Sequence, residues 1–582
     1  MKKITMNHIP LEVDGGATIL QAAKQADIHI PTLCHLNLHD ISFVNQTASC
    51  RVCMVELKAQ NSGSGKLVPA CATQIQDGMK IKTNSPRALG SRRMAVELLL
   101  SNHPNDCFIC PKNLECDLQA LAADLDIREI RFNGQRMNYQ LDISSEALIK
   151  NANKCIYCRR CETMCNTVQT CSILSGIGRG FDAFVGPAFD LPMIQTSCTY
   201  CGQCVAVCPT AALTEMNHAH KVWAALSDPS KHVIVQTAPA IRVTLGELFG
   251  MTPGTSVTGK MVTALRRMGF DAIFDTDFGA DIAVIEEAAE LIDRMQSGKT
   301  LPMLTSCCPA WVKFIEHQFP DLLEIPSTCK SPHIMLGSIT KTYYAQKRGI
   351  NPRDIVVVSV MPCIAKKAEA NRPELTKDSQ SDVDIVITTR ELGKMIKEAG
   401  IRFDTLPDDT FDSPMGQTSG ASVLFGTSGG VIEAVIRTVH EQITEKPLDK
   451  IEFDQLRGQG GLRRATITIG EKDILIGIAS GLGNARKLLQ EIREGKNEYT
   501  AIEIMACPDG CIAGGGQPYH HGNYEVVKQR KQAIYEEDSG NEIRNSHENP
   551  DIMQLYNDFL GHPISEISHK LLHTHYEKKD RI

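Results

Sequence analysis

The 582-residue sequence has no uninterrupted apolar run that approaches the roughly 18 residues of a membrane-spanning helix. Its first residues, MKKITMNHIPLEVDGG, contain no apolar core of a signal peptide. An excess of positive charge is also missing, because 61 lysines and arginines stand against 68 aspartates and glutamates. These absences argue against a membrane protein, a secreted protein and a protein that mainly binds nucleic acid, and they predict a cytoplasmic chain.

Complete nucleotide-binding motifs are missing as well. Gly254 to Lys260 fits the P-loop spacing GxxxxGK, but Met261 stands where a serine or threonine would bind magnesium. The pair Gly481 and Gly483 lacks the third glycine of a dinucleotide-binding fingerprint. The sequence therefore gives no support for a P-loop or for bound NAD or FAD.

Cysteine, in contrast, is abundant: there are 22 in a chain whose length predicts about four domains. Without a secretion signal these thiols should stay reduced, and clustered reduced thiols in a cytosolic protein most often bind metal. The spacing of the cysteines therefore decides what each group binds.

The first group lies in an α+β opening. Lys2 to Val13 predicts a strand hairpin, and Thr18 predicts the cap of a following helix. The spacing of four cysteines favours a [2Fe-2S] site, with tetrahedral zinc as the alternative. The long first gap resembles N-terminal domains of respiratory-complex and hydrogenase iron–sulfur subunits. Residues 1–80 are thus predicted to form a β-grasp [2Fe-2S] ferredoxin-like domain. Its predicted ligands are Cys34, Cys50, Cys53 and Cys71.

Two further groups follow. Residues 81–125 contain one histidine and three cysteines after the amphipathic stretch Met94 to Leu100, a set that suits zinc or a [4Fe-4S] cluster; the neighbouring clusters favour the latter. Residues 126–215 contain two CxxCxxCxxxC runs, in which the fourth cysteine of each run crosses to the other [4Fe-4S] cluster. The predicted ligand sets are His103, Cys107, Cys110 and Cys116; Cys155, Cys158, Cys161 and Cys208; and Cys198, Cys201, Cys204 and Cys165.

Residues 216–582 alternate apolar runs with helical patterns, which predicts a large α/β domain with parallel sheets. The predicted strands are His232 to Thr237, Asp271 to Phe274, Leu301 to Leu304, Ile355 to Val360 and Asp384 to Ile387. The tail with His573, His575 and Lys578-Lys579 is predicted to be a solvated end.

Three segments of this domain contain closely grouped cysteines: TSCCPAW from Thr305, MPCIAKK from Met361, and MACPDGC from Met505, which leads into GGGQP from Gly514. Four thiolates from three loops can bind a [4Fe-4S] cluster, and the glycines permit close backbone approach. The segments closely resemble the three signature segments of [FeFe]-hydrogenases. The order of the N-terminal groups resembles the monomeric clostridial type, so the resemblance spans the chain.

The resemblance implies an H-cluster: a [4Fe-4S] unit joined through one cysteine to a di-iron unit with CO, cyanide and a bridging azadithiolate. By motif, its ligands are Cys308, Cys363, Cys507 and Cys511, with Cys511 as the bridge. Cys307 resembles the proton donor of the family. A thiol suits that role, because an ordinary pKa near 8.5 lets it give and regain protons.

Other roles are implied in the same way. The proton relay would continue from Cys307 through Glu287, Ser327 and Glu290, with Arg294 near the exit. Lys366 would face a cyanide, Pro239 and Ala240 would be backbone partners, and Met361, Met505 and Phe425 would be apolar walls. Without the motifs, the carboxylates would be interpreted as a solvated helix face and the others as ordinary core residues.

The sequence departs from the family pattern without losing a ligand. Asp509, Ile364, Ala310 and His333 replace a usual glycine, threonine, glycine and glutamine, and Cys329 is an extra thiol. Charges and hydrogen bonds near a cluster shift its potential, so these positions bear on rate and direction. Cys171 and Cys329 have no assigned role and are predicted to be packed thiols.

The implied function is the reversible combination of two protons and two electrons into H2. Ferredoxin or flavodoxin is the implied electron carrier, and H-cluster maturation proteins are implied partners. One alternative is a cluster-bearing subunit of an NADH dehydrogenase, which would share the first 210 residues but would not need the three segments. A hydrogen sensor with the same cluster is the other alternative.

Overall fold

The computed structural model describes residues 1–58, 65–132, 134–298, 300–377, 380–448, 450–458, 460–496 and 498–580. Within these ranges no helix is long and apolar enough to cross a membrane. All 22 cysteines lie inside them as free thiols.

The N-terminal residues form a mixed sheet with one short helix. Lys2–Met6 and Ile9–Val13 pair as the predicted hairpin, and Lys80–Lys82 runs parallel to Lys2–Met6. Thr18 caps the helix Ile19–Gln25 as predicted, through a capping box. The strand order is Ile9–Val13, Lys2–Met6, Lys80–Lys82, Met54–Leu57 and Lys66–Pro69. The predicted ferredoxin-like opening is confirmed, and its sheet extends to residue 82.

The middle of the chain is built from short elements around the cysteines. The helices Pro86–Asn102 and Asp117–Asp124 flank the loop that contains Cys107, Cys110 and Cys116. The next two cysteine runs contain the short helices Arg160–Thr163 and Gln203–Val207. The strands Leu148–Lys150 and Leu213–Glu215 of the same region form an antiparallel pair. A hairpin, Ser175–Ile177 with Phe184–Gly186, occupies part of the long spacing between the runs.

The large domain contains two four-stranded sheets within the described residues. The first has the order Ala272–Asp275, His232–Thr237, Ile355–Met361 and Ile385–Thr388, and all its pairs are parallel. The second has the order Met303–Leu304, Ala501–Met505, Lys472–Ser480 and Leu462–Ile469. Its last pair is antiparallel, so the predicted parallel arrangement does not hold for that pair. Every second side chain of Leu462–Ile469 faces solvent, which suits an antiparallel edge strand.

Helices cover both sheets. The longest, Thr276–Ser297, is almost entirely buried, and Glu286, Glu287 and Glu290 are at most 9% exposed. The alternative interpretation of these carboxylates as a solvated face is therefore wrong. The other helices of six or more residues in this domain are Ala219–Leu226, Thr258–Met268, Pro309–Gln318, Pro332–Ile339, Thr389–Glu398, Gly430–Thr444, Leu482–Arg493, Glu525–Gly540, Pro550–Leu555 and Glu566–Leu572.

The C-terminal tail packs onto the large domain, so the prediction of a solvated end is wrong for His573, which is buried, whereas His575 and Lys578 are exposed. His573 is 7% exposed and forms a β-bridge with Cys329. The Thr574 amide donates to the Thr328 carbonyl at 2.7 Å, and the Lys579 amide donates to Glu316. The tail thus covers the region beside the helix Thr276–Ser297, while the side chain of His575 is 70% exposed.

Candidate active site

Three strand ends place the cysteines of the large domain at one edge. Cys308 follows Met303–Leu304, Cys363 follows Ile355–Met361, and Cys507 follows Ala501–Met505. Each cysteine lies just beyond the carboxyl end of a parallel strand, the usual location of binding sites in α/β sheets. The fold therefore brings together residues that are up to 204 positions apart, from Cys307 to Cys511.

Cys308, Cys363, Cys507 and Cys511 form one group of thiols. Burial raises the pKa of each thiol. Neighbouring thiols of the group raise the pKa of Cys363, Cys507 and Cys511 further, and that of Cys363 rises to about 12. Four adjacent thiols of this kind cannot all ionise without a bound cation, which fits an iron–sulfur cluster. Gly510 lies at φ +96°, where a Cβ would stand 2.6 Å from the Ser428 amide nitrogen, so the ligand loop approaches its neighbour too closely for a side chain.

Lys366 is buried beside this group. Its Nζ lies 3.0 Å from the Cys307 carbonyl oxygen and 2.8 Å from the Glu369 carboxylate. Burial alone would lower the pKa of Lys366, but Glu369 and the thiols raise it above its usual value. His333 lies behind this pair, with Nε2 at 2.7 Å from Glu369. The network keeps a positive charge next to the thiols.

The predicted apolar contacts surround the same edge. Pro239 and Ala240 form the turn after His232–Thr237, and both are buried. Met361 and Met505 are the last residues of their strands, each 2% exposed. Phe425 packs in the same apolar cluster as Cys307 and Cys511.

Cys307 lies between the thiol group and the buried helix. Burial raises the pKa of its thiol, and Glu287 raises it further. Burial and the neighbouring Glu290 also raise the pKa of Glu287, to about 8, while Ser306 contacts the carboxylate. Among the described residues Glu287 Oε2 has no hydrogen-bond partner. A carboxyl group of this kind can hold and release a proton near neutral pH.

Ser327, Glu290 and Arg294 form a connected set on the far side of Glu287. Ser327 Oγ donates to Glu290 Oε2 at 2.7 Å, and Arg294 Nη2 donates to Glu290 Oε1 at 2.6 Å. Arg294 also donates to the carbonyls of Ile325 and Pro326. The structure thus brings together all the residues of the predicted relay.

Several residues of this region are missed by the sequence reasoning. Ser306 contacts both Glu287 and Tyr576, and Tyr576 donates to the Ser327 carbonyl at 2.7 Å. His573 contacts Thr328 and Glu286. Only Ser306 carries a signal, since it precedes Cys307 in the first segment. His573 lies 287 positions beyond Glu286, and no local pattern connects the tail with the helix.

The accessory cysteines also form groups. Cys34 and Cys50 have their sulfur atoms 3.4 Å apart, and the contact with Cys71 lowers the pKa of Cys53 to about 7. In the ferredoxin-like region Cys161 lies near Cys158, Cys208 and Cys155, and Cys204 lies near Cys201, Cys198 and Cys165. These are the crossed sets that the spacing predicts. Cys171 packs against the second set.

His103 fits a metal-binding role. It is 9% exposed, and burial followed by the charge of Lys154 lowers its pKa to about 4, so the ring is neutral. Its Nδ1 is buried without a hydrogen-bond partner in the described part of the chain. Lys154 also contacts Cys110, which places His103 and this cysteine around the same lysine. A neutral ring with a free nitrogen suits ligation.

Close contacts connect the groups. Asn45 Nδ2 donates to the carbonyls of Cys34, at 2.6 Å, and Cys158, at 3.0 Å. Lys112 contacts Cys116 and donates to the Cys208 carbonyl. Cys201 is close enough to Cys507 for its charge to raise that thiol's pKa.

Two glycines make the contact with the large domain possible. A Cβ on Gly515 would stand 2.7 Å from Gly202 Cα, and Gly202 itself lies at φ +74°. Ile364 packs against Gly202 in the same place. The cysteine run that contains Cys201 and Cys204 is therefore in close backbone contact with the loop that follows Cys511 in the large domain.

Asp509 lies between Cys507 and Cys511 at φ +62°. Its Oδ2 accepts a hydrogen bond from Tyr524 at 2.7 Å, and its Oδ1 is 3.5 Å from Lys531 Nζ. The carboxylate is only 17% exposed and is therefore not simply in solvent.

The sequence matches family models along most of its length. Residues 231–515 match "Iron only hydrogenase large subunit, C-terminal domain", and 524–579 match "Iron hydrogenase small subunit". Residues 2–86 match a 2Fe-2S iron–sulfur cluster binding domain, 92–131 match the NADH-ubiquinone oxidoreductase-G iron–sulfur binding region, and 192–214 match a 4Fe-4S binding domain. The match to the NADH dehydrogenase region covers only 92–131.

Similar proteins extend over the whole chain. The NADP-reducing hydrogenase subunit HndD of Solidesulfovibrio fructosivorans is 55% identical over 589 residues, covering 100% of both chains. Iron hydrogenase 1 of Clostridium pasteurianum is 38% identical and covers 99% of this chain and 100% of its own. Among solved structures, apo [FeFe]-hydrogenase HydA1 from Chlamydomonas reinhardtii is 40% identical with a TM-score of 0.57, and the match covers 62% of this chain and 99% of that one.

Proposed function

The chain belongs to the iron-only hydrogenase family, and we propose that it catalyses the reversible reduction of protons to H2 at the edge where the three cysteine loops meet. One observation carries the proposal. A group of four thiols that can bind a cluster lies next to a fifth thiol, Cys307, and Cys307 lies between this group and the buried Glu287. Family membership argues against the alternative of an NADH dehydrogenase subunit.

We propose that Cys308, Cys363, Cys507 and Cys511 hold the [4Fe-4S] unit of an H-cluster, with Cys511 as the bridge to a di-iron unit that carries CO, cyanide and an azadithiolate. When bound, this group supplies the place where electrons and protons combine. Lys366 holds a positive charge beside it, which would stabilise anionic ligands. Pro239, Ala240, Met361, Met505 and Phe425 exclude water around it.

Protons would move along the buried helix Thr276–Ser297. Cys307 exchanges a proton with Glu287, whose pKa near 8 suits both directions of transfer. Glu290 and Ser327 take the next position, joined by a 2.7 Å hydrogen bond. Arg294 pairs with Glu290 and marks the end of the buried path.

Electrons would enter through the N-terminal region, for which we propose domains 1–80, 81–125 and 126–215 before the catalytic domain 216–582. One [2Fe-2S] and three [4Fe-4S] clusters would occupy the accessory groups. Asn45 connects the first group with the ferredoxin-like region, and Lys112 connects the His103 group with the same region. The proximity of Cys201 to Cys507 then gives one point of transfer to the active site.

Two electron carriers are candidates. Ferredoxin or flavodoxin would deliver electrons directly to the accessory clusters. The name of the 55% identical relative, an NADP-reducing hydrogenase subunit, favours a second candidate, in which a partner subunit exchanges electrons with NADP. The incomplete motif at Gly481 supports a separate subunit for that step: a Cβ on Gly483 would stand 2.6 Å from the Val168 carbonyl oxygen, so this glycine serves domain packing.

The test is H2 evolution by the full chain, produced together with H-cluster maturation proteins. Reduced viologen should support rapid evolution, and reduced ferredoxin, flavodoxin and NADPH are then compared as donors. Activity with ferredoxin or flavodoxin alone supports direct exchange, whereas activity that requires NADPH and an added partner subunit supports the second candidate. Absence of H2 evolution with viologen, in protein with a full iron content, would contradict the proposed reaction.

A further inference from the structure

Glu290, Cys329 and His573 bring together three side chains with different metal-binding chemistry. One ligand atom from each lies within 4.8 Å of the other two. Cys329 Sγ is 3.9 Å from Glu290 Oε2, and all three residues are at most 9% exposed. Zinc–ligand bonds are about 2.0 to 2.3 Å long, so the ligand atoms around a bound zinc ion are closer to one another than these three atoms are. Small side-chain rotations are therefore needed to enclose an ion.

The contacts of His573 prepare its ring for ligation. Nε2 is 3.1 Å from the buried Glu286 carboxylate, and Nδ1 is 2.8 Å from Thr328 Oγ1. A carboxylate at Nε2 favours the proton there, which leaves the lone pair of Nδ1 on the side of Thr328. A carboxylate behind a histidine is the usual outer partner of a metal-bound imidazole.

The charges around Cys329 also favour a cation. The carboxylates of Glu290, Glu287 and Glu286 are its nearest charged groups. Arg294 pairs with Glu290 Oε1, and Oε2, which accepts hydrogen bonds from Ser327 and the Thr328 amide, also faces the thiol. A small cavity lies next to the Cys329 thiol. The residues that line this cavity include Cys329, Thr574 and Tyr576, so an ion could reach the thiol through it.

We propose that Glu290, Cys329 and His573 form a binding site for a divalent cation of borderline softness, represented by Zn2+. One carboxylate, one thiolate and one imidazole match the ligand preferences of this class of ion and would neutralise its charge. This inference rests on the proposed function in one respect: Glu290 belongs to the proposed proton path. An ion on its Oε2 would remove the carboxylate from proton transfer, so occupation of the site would inhibit turnover.

The binding test uses the full chain with its iron–sulfur clusters assembled, so that the other ligand cysteines are occupied. One equivalent of ZnCl2 is added without oxygen, excess metal is removed, and zinc-edge X-ray absorption is recorded. We expect retained zinc with one sulfur and the remaining ligands nitrogen or oxygen. Cys329→Ser should remove the sulfur contribution, and His573→Gln should weaken retention.

The matched control is His547→Ala. It disrupts the other group of suitable ligand atoms found among the described residues, Glu441, His547 and Glu548, which contains no sulfur. This variant should keep both zinc and its sulfur contribution. Absence of retained zinc in the wild-type protein, or a sulfur contribution that persists in Cys329→Ser, would overturn the site.

Inhibition provides a separate readout. Without zinc, Cys329→Ser should evolve H2 within about twofold of wild type, because Cys329 is outside the proposed path. With zinc, the concentration for half-inhibition should rise at least about tenfold in this variant. The infrared bands of bound CO and cyanide should not change in wild type. Equal inhibition of both proteins would overturn the inhibitory role, whereas a protein without H2 evolution that still binds zinc as described would contradict the proposed function and leave the site intact.

Discussion

Cys307 is the residue on which proton delivery depends in the proposed reaction. Cys307→Ser keeps the side-chain size but replaces the thiol by a hydroxyl that gives up its proton far less readily. We expect unchanged iron content and infrared bands, with H2 evolution lower by at least about a hundredfold. Cys329→Ser makes the same chemical change at a neighbouring buried thiol and should stay close to wild type. Near-normal H2 evolution by Cys307→Ser would exclude the role.

Glu287 should affect both H2 evolution and the way in which the stability of the fold changes with pH. Its pKa is raised to about 8 by burial and Glu290, against about 4.3 for an unfolded chain. Between these values the folded protein holds a proton that the unfolded chain has lost, so this group makes stability fall as pH rises from about 4 to about 8. Glu287→Gln should lose most H2 evolution and show a smaller fall in melting temperature over that range. A fall as steep as in wild type would show that Glu287 is ionised in the folded protein.

Asp509 combines a charge next to the cluster ligands with a left-handed backbone. Asp509→Gly and Asp509→Asn both remove the carboxylate, so both should raise the reduction potential of the [4Fe-4S] unit and change the ratio of H2 evolution to uptake. Only the glycine variant should also stabilise the fold, by up to about 1 kcal/mol, because asparagine keeps the Cβ. Spectroelectrochemical titration and thermal unfolding separate the two effects. An unchanged potential in both variants would mean that the pairing of Asp509 with Lys531 and Tyr524 cancels its charge at the cluster.

The sequence patterns predict some strands of the large domain correctly and miss others. Apolar runs predict the strands that precede Cys363 and Pro239, because a strand buried on both faces has an almost uninterrupted apolar sequence. The same rule misses Leu462–Ile469, whose alternating pattern belongs to an edge strand. The burial of Glu286 and Glu290 is not predictable from the helix sequence, since both lie next to His573, about 280 residues further along.

The ferredoxin-like region contacts the large domain at two glycines, Gly202 and Gly515, whose backbones lie side by side. Gly515→Ala would place a Cβ 2.7 Å from Gly202 Cα. We expect a loss of about 1 to 3 kcal/mol in stability and slower electron transfer from the accessory clusters, because the two backbones must separate. Thermal unfolding and rapid mixing with a reduced carrier measure the two effects.

Gly90→Ala is the control for this substitution. Gly90 lies in the helix Pro86–Asn102, and a Cβ there would meet no atom within 4 Å. Alanine should therefore stabilise that helix by up to about 1 kcal/mol. If Gly515→Ala behaves like Gly90→Ala, the close approach does not limit electron transfer.

For the whole molecule, the cysteine spacing predicts which thiols group together, because ligand spacing within one loop is a local property. The thiols of each crossed set, around Cys161 and Cys204, lie together, and their roles as cluster ligands stay a prediction. How the groups connect is not a local property. Asn45 and Lys112 join different regions, and no motif marks them. Gly515 belongs to the GGGQP segment, but that motif does not indicate that Gly202 is its neighbour.

We propose above all that the four thiols of the large domain hold an H-cluster that makes H2. Infrared spectroscopy of the full chain, produced with its maturation proteins, tests this most directly. We predict bands of metal-bound CO and cyanide that shift when the protein is exposed to H2. A protein with all its accessory clusters and an occupied four-thiol group, but without those bands, would contradict the account.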